Sequence, residues 1–336
     1  MMLSRIGILL GMLTVLLLPG CKGSSREVVV YTSVDQVFSE PVFRAFEKTS
    51  GIRVRAVYDT EETKSTGVLN RLIAEGPHPQ ADVFWSGDSV RPFQLIKRGF
   101  VEPYVSPAAS GLPSSARPPD GSWTGFAARA RVLLVNKTKV SPADMPQSVV
   151  DLVNPRWRSQ VAMANPLYGT TTMHVAALFA VWGADKTRAF LNDLKANQAK
   201  IASSNGEVKR LVVGGEVAWG IADTDDAHEA LGESSDIEVV YPDQDGMGVL
   251  VIPTATVILR GGRHPEQAKK LVDYLVSAEV EKEMAASAAH MPLRPGVPVP
   301  PSVRAAASIK SMQVDYGRVA SEMEAQQPWL RQWMGM

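Results

Sequence analysis

Glu27-Val28-Val29-Val30-Tyr31-Thr32-Ser33-Val34-Asp35 opens the part of the chain that decides the fold. Val28 to Tyr31 is β-branched and aromatic without polar alternation, the pattern of a strand buried on both faces. Thr32 and Ser33 close it. Val37, Val42, Phe43 and Phe46 then recur at helical spacing until Gly51. Residues 52–57 alternate as a second strand, Leu69, Leu72 and Ile73 mark a second helix, and residues 81–85 read as a third strand with Ser86-Gly87-Asp88-Ser89 at its carboxyl end. This β-α-β-α order predicts an α/β fold with a mostly parallel sheet. Farther on, residues 131–136, 160–163, 217–222 and 248–259 read as strands, and 171–182 and 265–276 as helices. Residues 106–121, rich in Pro, Ser and Gly, read as a surface loop. Residues 311–336 have helical spacing, with Trp329 and Trp333 available to dock on the body of the fold.

The 336 residues, 45% of them hydrophobic, suffice for a large core and suggest about two domains. Basic and acidic side chains balance at 35 each, so no basic excess points to nucleic acid. After Arg5, residues 6–18 form an apolar run of roughly 13 residues, the length of a signal-peptide core and too short for a bilayer. Leu18-Pro19-Gly20-Cys21 resembles the lipobox of bacterial lipoproteins, with Pro19 a departure from the usual small residue. Cys21 is the only cysteine. An exported chain with one thiol cannot close an internal disulfide, and acylation gives that thiol a role. The expectation is a signal peptide over 1–20, a tether over 21–26, and lipid anchoring at the periplasmic or cell-surface face of the membrane. A stray cysteine behind a cleaved signal, or an uncleaved anchor helix, is the plainer reading.

Further segments carry a family resemblance. They are Val30-Tyr31-Thr32-Ser33, Phe46-Glu47-Lys48-Thr49-Ser50-Gly51-Ile52-Arg53-Val54, Ala81-Asp82-Val83-Phe84-Trp85, residues 123–133, Asp151-Leu152-Val153-Asn154-Pro155-Arg156-Trp157 and Gln267-Ala268-Lys269-Lys270-Leu271-Val272. Together they resemble extracellular solute-binding proteins of bacterial ABC importers, in the ferric-binding branch. The resemblance implies a two-lobed periplasmic-binding-protein-like fold of type 2, with mixed, mostly parallel sheets and a central cleft. Lobe 1 would comprise 27–129 and 248–310, lobe 2 would comprise 130–247, and 311–336 would be a docked C-terminal helix. The hinge crossings would lie near 128–132 and 247–253. It also implies an ABC permease and its ATPase as partners, and a monomer. A ligand-sensing lipoprotein of the same fold and an anchored hydrolase are the alternatives. No G-x-S-x-G, H-E-x-x-H, Walker A or G-x-G-x-x-G pattern supports an enzyme, and no catalytic residue is assigned.

Ligands in open α/β sheets sit at the carboxyl ends of strands. Helix N-termini there present unpaired N–H groups and a positive dipole end, which suit anions. Five loops qualify: 32–35, 86–88, 165–172, 203–206 and 223–226. Their candidate ligand-binding residues are Ser33, Asp35, Ser86, Asp88, Tyr168, Thr170, Thr171, Ser204, Asn205, Thr224 and Asp225. Each loop alone reads as a helix cap; the convergence of five points to binding. Ferric-binding members hold iron with two adjacent tyrosines, a His and a Glu. Those positions fall here on about Thr224-Asp225, Asp35, and Gly87 or Asp88, and the chain has no adjacent tyrosine pair. Two chemistries stay open. A hard cation, such as a ferric ion carried as cargo, could be held by carboxylates, with Asp35 and Asp225 first, Asp88, Asp223 and Asp226 beside them, and His228 a helical turn beyond Thr224. Alternatively, a small organic or phosphorylated solute could be held by hydroxyls, N–H groups and Arg129 or Arg131. No cofactor is expected.

Overall fold

The computed structural model describes residues 26–59 and 66–336. Cys21 and the expected signal peptide lie outside the described residues. The first half is built from β1 (Glu27–Thr32), α1 (Gln36–Ser50), β2 (Arg53–Tyr58), α2 (Thr66–Glu75), β3 (Val83–Ser86), α3 (Arg91–Lys97) and β4 (Val101–Glu102). The long strand β5 (Thr124–Asn136) leads out of it. The second half holds β6 (Val161–Ala164), α4 (Gly169–Trp182), α5 (Ala184–Ala196), β7 (Lys200–Ala202), α6 (Asn205–Val213), β8 (Trp219–Asp223), α7 (Thr224–Glu233) and β9 (Ile237–Val240). β10 (Val251–Leu259) returns to the first half, followed by α8 (Pro265–Leu275), α9 (Ala278–Ala288) and α10 (Tyr316–Met334).

The strands run in the order β2-β1-β3-β10-β5-β8-β6-β7, with β4 on β10 and β9 on β5. β1 pairs in parallel with β2 and β3, and β6 with β7 and β8, but every pairing made by β5 or β10 is antiparallel. The sheet is therefore mixed rather than mostly parallel, because the two strands that join the halves run against their neighbours. β5 also starts earlier than the apolar run at 131–136 suggests. Its first residues, Thr124-Gly125-Phe126-Ala127-Ala128-Arg129-Ala130, gain strand structure from pairing with β10. Ala127 is the extra residue there: the register shifts between Pro253 and Thr254, and Ala127 has a φ of 43°. A bulge of this kind bends a strand and raises its twist, and it falls where β5 passes from one half to the other.

Alternation along the strands sorts the core onto both faces of each half, as the period of two requires. In the first half, Val28, Val30, Val83 and Trp85 pack with Phe43 and Phe46, while Tyr31 and Phe84 face Leu69 and Leu72. In the second, Leu133 and Val135 join Met173 and Phe179, while Val132 and Leu134 join Val208 and Leu211. Helix α10 docks as its spacing suggests. Trp329 packs edge-on against Phe179 of α4 at 6.2 Å, Glu324 accepts from Lys97 of α3 at 3.1 Å, and the Tyr316 hydroxyl donates to the Val251 carbonyl at 3.1 Å. It thus touches both halves. Among the described residues no helix is long and apolar enough to cross a membrane.

Candidate functional site

The carboxyl ends of β1, β6, β7 and β8 open on one cleft, and the helices that follow them start on its walls. Its walls are Ser33, Asp35, Arg129, Tyr168, Thr170, Thr171, Ser204, Asn205, Asp223, Asp225 and their neighbours. The local sequence forces this arrangement. After β6, the Asn165 side chain accepts from the Leu167 N–H at 2.9 Å, and Gly169, at a φ of 59°, turns the chain into α4. Asp223 ends β8 and α7 begins at the next residue, so Asp225 and Asp226 lie on its first turn. Ser204 caps α6 by accepting from the Glu207 N–H at 3.1 Å.

Two arginines of β5 organise the polar wall. Arg131, fully buried, donates to Asp223 at 2.6 Å, Thr170 at 3.0 Å, Asn205 at 3.2 Å and Thr171 at 3.2 Å. Thr170 donates in turn to Asp223 at 2.6 Å, and the Asn205 amide reaches Thr170 at 2.9 Å. Arg129 donates to Asp223 at 3.1 Å and Asp225 at 3.2 Å, and from its other terminal nitrogen to the Gly87 carbonyl at 2.6 Å. A Cβ at position 87 would lie 3.2 Å from the Ser33 carbonyl and 3.3 Å from that nitrogen, so glycine leaves both their present places without crowding. Burial works to lower the Arg129 pKa, but Asp225 and Asp223 outweigh it and hold it above the usual arginine value. Burial likewise pushes the Asp223 carboxyl up, and Arg131 and Arg129 overcome this and hold it below the usual carboxylate range.

Charge is thereby divided across the cleft. The α4 and α6 side carries hydroxyls, an amide and helix N-termini, with the Asp223 carboxylate bonded to Thr170 and Asn205 and neutralised by Arg131 and Arg129. The α1 and α7 side carries Asp35, Asp225 and Asp226. Of the candidate residues, Ser33, Asp35, Tyr168, Thr170, Thr171, Ser204, Asn205 and Asp225 are brought together on the walls. Ser86, Asp88 and Thr224 lie behind them. Asp88 accepts from the N–H groups of Val90 and Arg91 at 2.9 Å each and pairs with the Arg91 guanidinium, which ties it to the start of α3. Ser86 accepts from the Asp88 N–H at 3.3 Å, and Thr224 accepts from the Ala130 N–H at 3.3 Å. His228 lines a separate cavity with Tyr241 and Arg304. Arg91 is a residue the sequence did not flag: from α3 it donates to the Gly169 carbonyl at 3.3 Å, joining the two halves beside the cleft. Nothing in its local sequence signals this, because the contact spans 78 positions.

Iron chemistry can be tested against this wall. Among the seven tyrosines only Tyr168 lines the cleft. Tyr31 donates to Glu75 at 2.8 Å, Tyr104 to Asp273 at 3.0 Å and Tyr316 to Val251, and Tyr241 lies under Arg304. Among the described residues no pair of tyrosines lines the cleft. Asp223, Asp225 and Asp226 do offer carboxylate oxygens within 4.8 Å of one another, but two of the three are bonded to Arg129.

A mixed sheet wound in two halves, with strand ends and helix starts facing one polar gap, is the architecture of a two-lobed binding protein. The sequence pattern of the bacterial extracellular solute-binding proteins matches residues 78–317, and the chain belongs to that family. It is similar to iron uptake protein A1 of Synechocystis, 27% identical over 86% of this chain and 82% of the relative. It is similar also to a putative 2-aminoethylphosphonate-binding periplasmic protein of Salmonella typhi, 26% identical over 94% of this chain and 95% of the relative. Iron-bound HitA of Pseudomonas aeruginosa shares the fold, with a TM-score of 0.82 at 22% identity over 90% of this chain and 99% of HitA.

Proposed function

We propose that this chain is the capture subunit of an ABC importer whose solute is a small organic oxyanion of the phosphate-ester or phosphonate kind. The observation that carries the reading is the wall made by the starts of α4 and α6. Thr170, Thr171, Ser204 and Asn205 stand there, and Arg131 lies directly behind, bonded to Thr170, Thr171 and to Asp223, whose carboxylate Thr170 and Asn205 also share. First-turn N–H groups of a helix have no carbonyl within the helix to bond, and hydroxyls beside them complete an oxyanion cradle. Asp35 and Asp225 on the facing wall suit amino or hydroxyl groups on the rest of the solute. Binding draws lobe 1 (27–129 and 248–310) onto lobe 2 (130–247), because contacts to both favour the closed state. Acylated Cys21 would anchor the monomeric protein beside its permease and ATPase on the outer side of the membrane. The names of the iron-binding relatives favour a second reading, a ferric ion delivered as its chelate with an organic acid. Titration calorimetry of the mature domain separates the two. Glucose 6-phosphate, 2-aminoethylphosphonate, ferric citrate and iron-free citrate form the panel. Saturable binding of a phosphoryl compound is expected; saturation by ferric citrate alone would replace the first reading with the second.

A further inference from the structure

Asp223, Asp225 and Asp226 are spaced as the ligands of a hard cation are, each with an oxygen within 4.8 Å of the others. Oxygen ligands at 2.3–2.6 Å from one ion cannot lie much farther apart than about 5 Å. The position is nonetheless held by a side chain of the protein itself. One terminal nitrogen of Arg129 bonds Asp223 and Asp225, the other is fixed by the Gly87 carbonyl, and only 8% of the residue is exposed. An arginine keeps its charge at every pH at which the protein is folded. Its second terminal nitrogen lets it hold the Gly87 carbonyl while the first serves both carboxylates.

We infer that Arg129 is a built-in counter-cation that closes the Asp223–Asp225–Asp226 cluster to free multivalent cations. A cation entering the cluster would meet a fixed positive charge at hydrogen-bond distance from two of its three ligands. Removing that charge should open the carboxylates to a cation, with Asp225 and Asp226 freed of the guanidinium and Asp223 keeping only Arg131 as its cationic partner. Gly87 belongs to the same device, since it leaves the guanidinium uncrowded at its backbone anchor. The inference concerns the cleft of the proposed function but does not depend on which solute binds there.

Terbium(III) is the probe, followed by calorimetry and by luminescence in phosphate-free buffer. Arg129→Gln is expected to bind one terbium ion on the order of 100-fold more tightly than the wild type, because a close positive charge has gone. Arg129→Lys, which keeps the charge, should stay near the wild type. The double variant Arg129→Gln/Asp225→Asn should lose the gain. Two results overturn the inference: Arg129→Gln binding terbium no better than the wild type, or wild-type binding that Asp225→Asn abolishes. If Arg129→Gln is unfolded without metal, terbium should raise its melting temperature and leave the double variant unmoved, and a variant that does not respond to terbium counts against the inference. A wild type that ignores every oxyanion, beside an Arg129→Gln that gains terbium, would sink the solute assignment and keep this one.

Discussion

Replacing Arg131 with methionine removes the donor around which the lobe 2 wall is assembled, and the cost follows from its contacts. Arg131 and Asp223 are both buried, and the pair is joined at 2.6 Å, with Thr170, Thr171 and Asn205 bonded to the same guanidinium. Breaking a buried ion pair by removing one partner costs about 3–5 kcal/mol, because the other charge stays behind. Asp223 keeps Arg129, Thr170 and Asn205 as partners, which places this case at the lower end, about 3 kcal/mol. At about 2–4 °C per kcal/mol for a domain of this size, Arg131→Met should lower the melting temperature by about 6–12 °C at neutral pH. The acid limb should move as well. Asp223 is held below its unfolded value, so its contribution is present above that value and is lost as pH falls through the folded one. Without Arg131 the folded value rises, and the acid transition begins at higher pH. Calorimetric melts of both proteins across neutral to acid pH measure both effects. A variant melting within about 2 °C of the wild type, with an unmoved acid limb, would refute the claim that this pair organises the wall.

Three further outcomes are expected. Burial first, and Arg131 second, push His174 down to about 3, and burial with Arg129 pushes His290 down to about 4. Both stay neutral when folded and take up protons when unfolded, so stability should decline as pH falls from about 6.5 towards 4, and His174→Gln should flatten that decline in melts. Gly220→Ala would press a Cβ to 2.5 Å from Val208 and 2.9 Å from the Ala162 carbonyl where α6 packs on β8. It should destabilise by about 1–3 kcal/mol in urea titrations, and an unchanged midpoint would contradict that packing. Thr171→Ala and Asp225→Ala should each weaken binding of the cognate solute about 10- to 100-fold in calorimetry; wild-type affinity in both would remove the site assignment.

The α/β winding was legible from pattern. Runs such as Val28-Val29-Val30 and Ala81-Asp82-Val83-Phe84-Trp85 carry enough β-branched and aromatic character to declare buried strands, and the helices between them declare the winding. The strand-end rule also found most of the cleft, since Ser33, Thr170, Asn205 and Asp225 sit at helix starts. It could not separate cleft from cap. Asp88 and Asp35 occupy equivalent positions by sequence, yet Asp88 turns back onto α3 and Arg91 while Asp35 lines the gap. The first residues of β5 were illegible because Thr124 to Ala130 become a strand only beside β10, more than a hundred residues away in sequence. Arg129 could be read as a hinge ion pair or as a ligand donor, but its partners could not be named for the same reason: Gly87, Asp223 and Asp225 come from opposite halves of the fold.

The most direct test of the cleft as described is a crystal structure of the mature domain with the tightest-binding member of the calorimetric panel. The account predicts an oxyanion on the first turn of α4 beside Thr170 and Thr171, with Arg129 still bonded to Asp223 and Asp225. A metal ion seated on Asp223, Asp225 and Asp226 with Arg129 swung away, or a ligand bound outside the gap between the lobes, would contradict it.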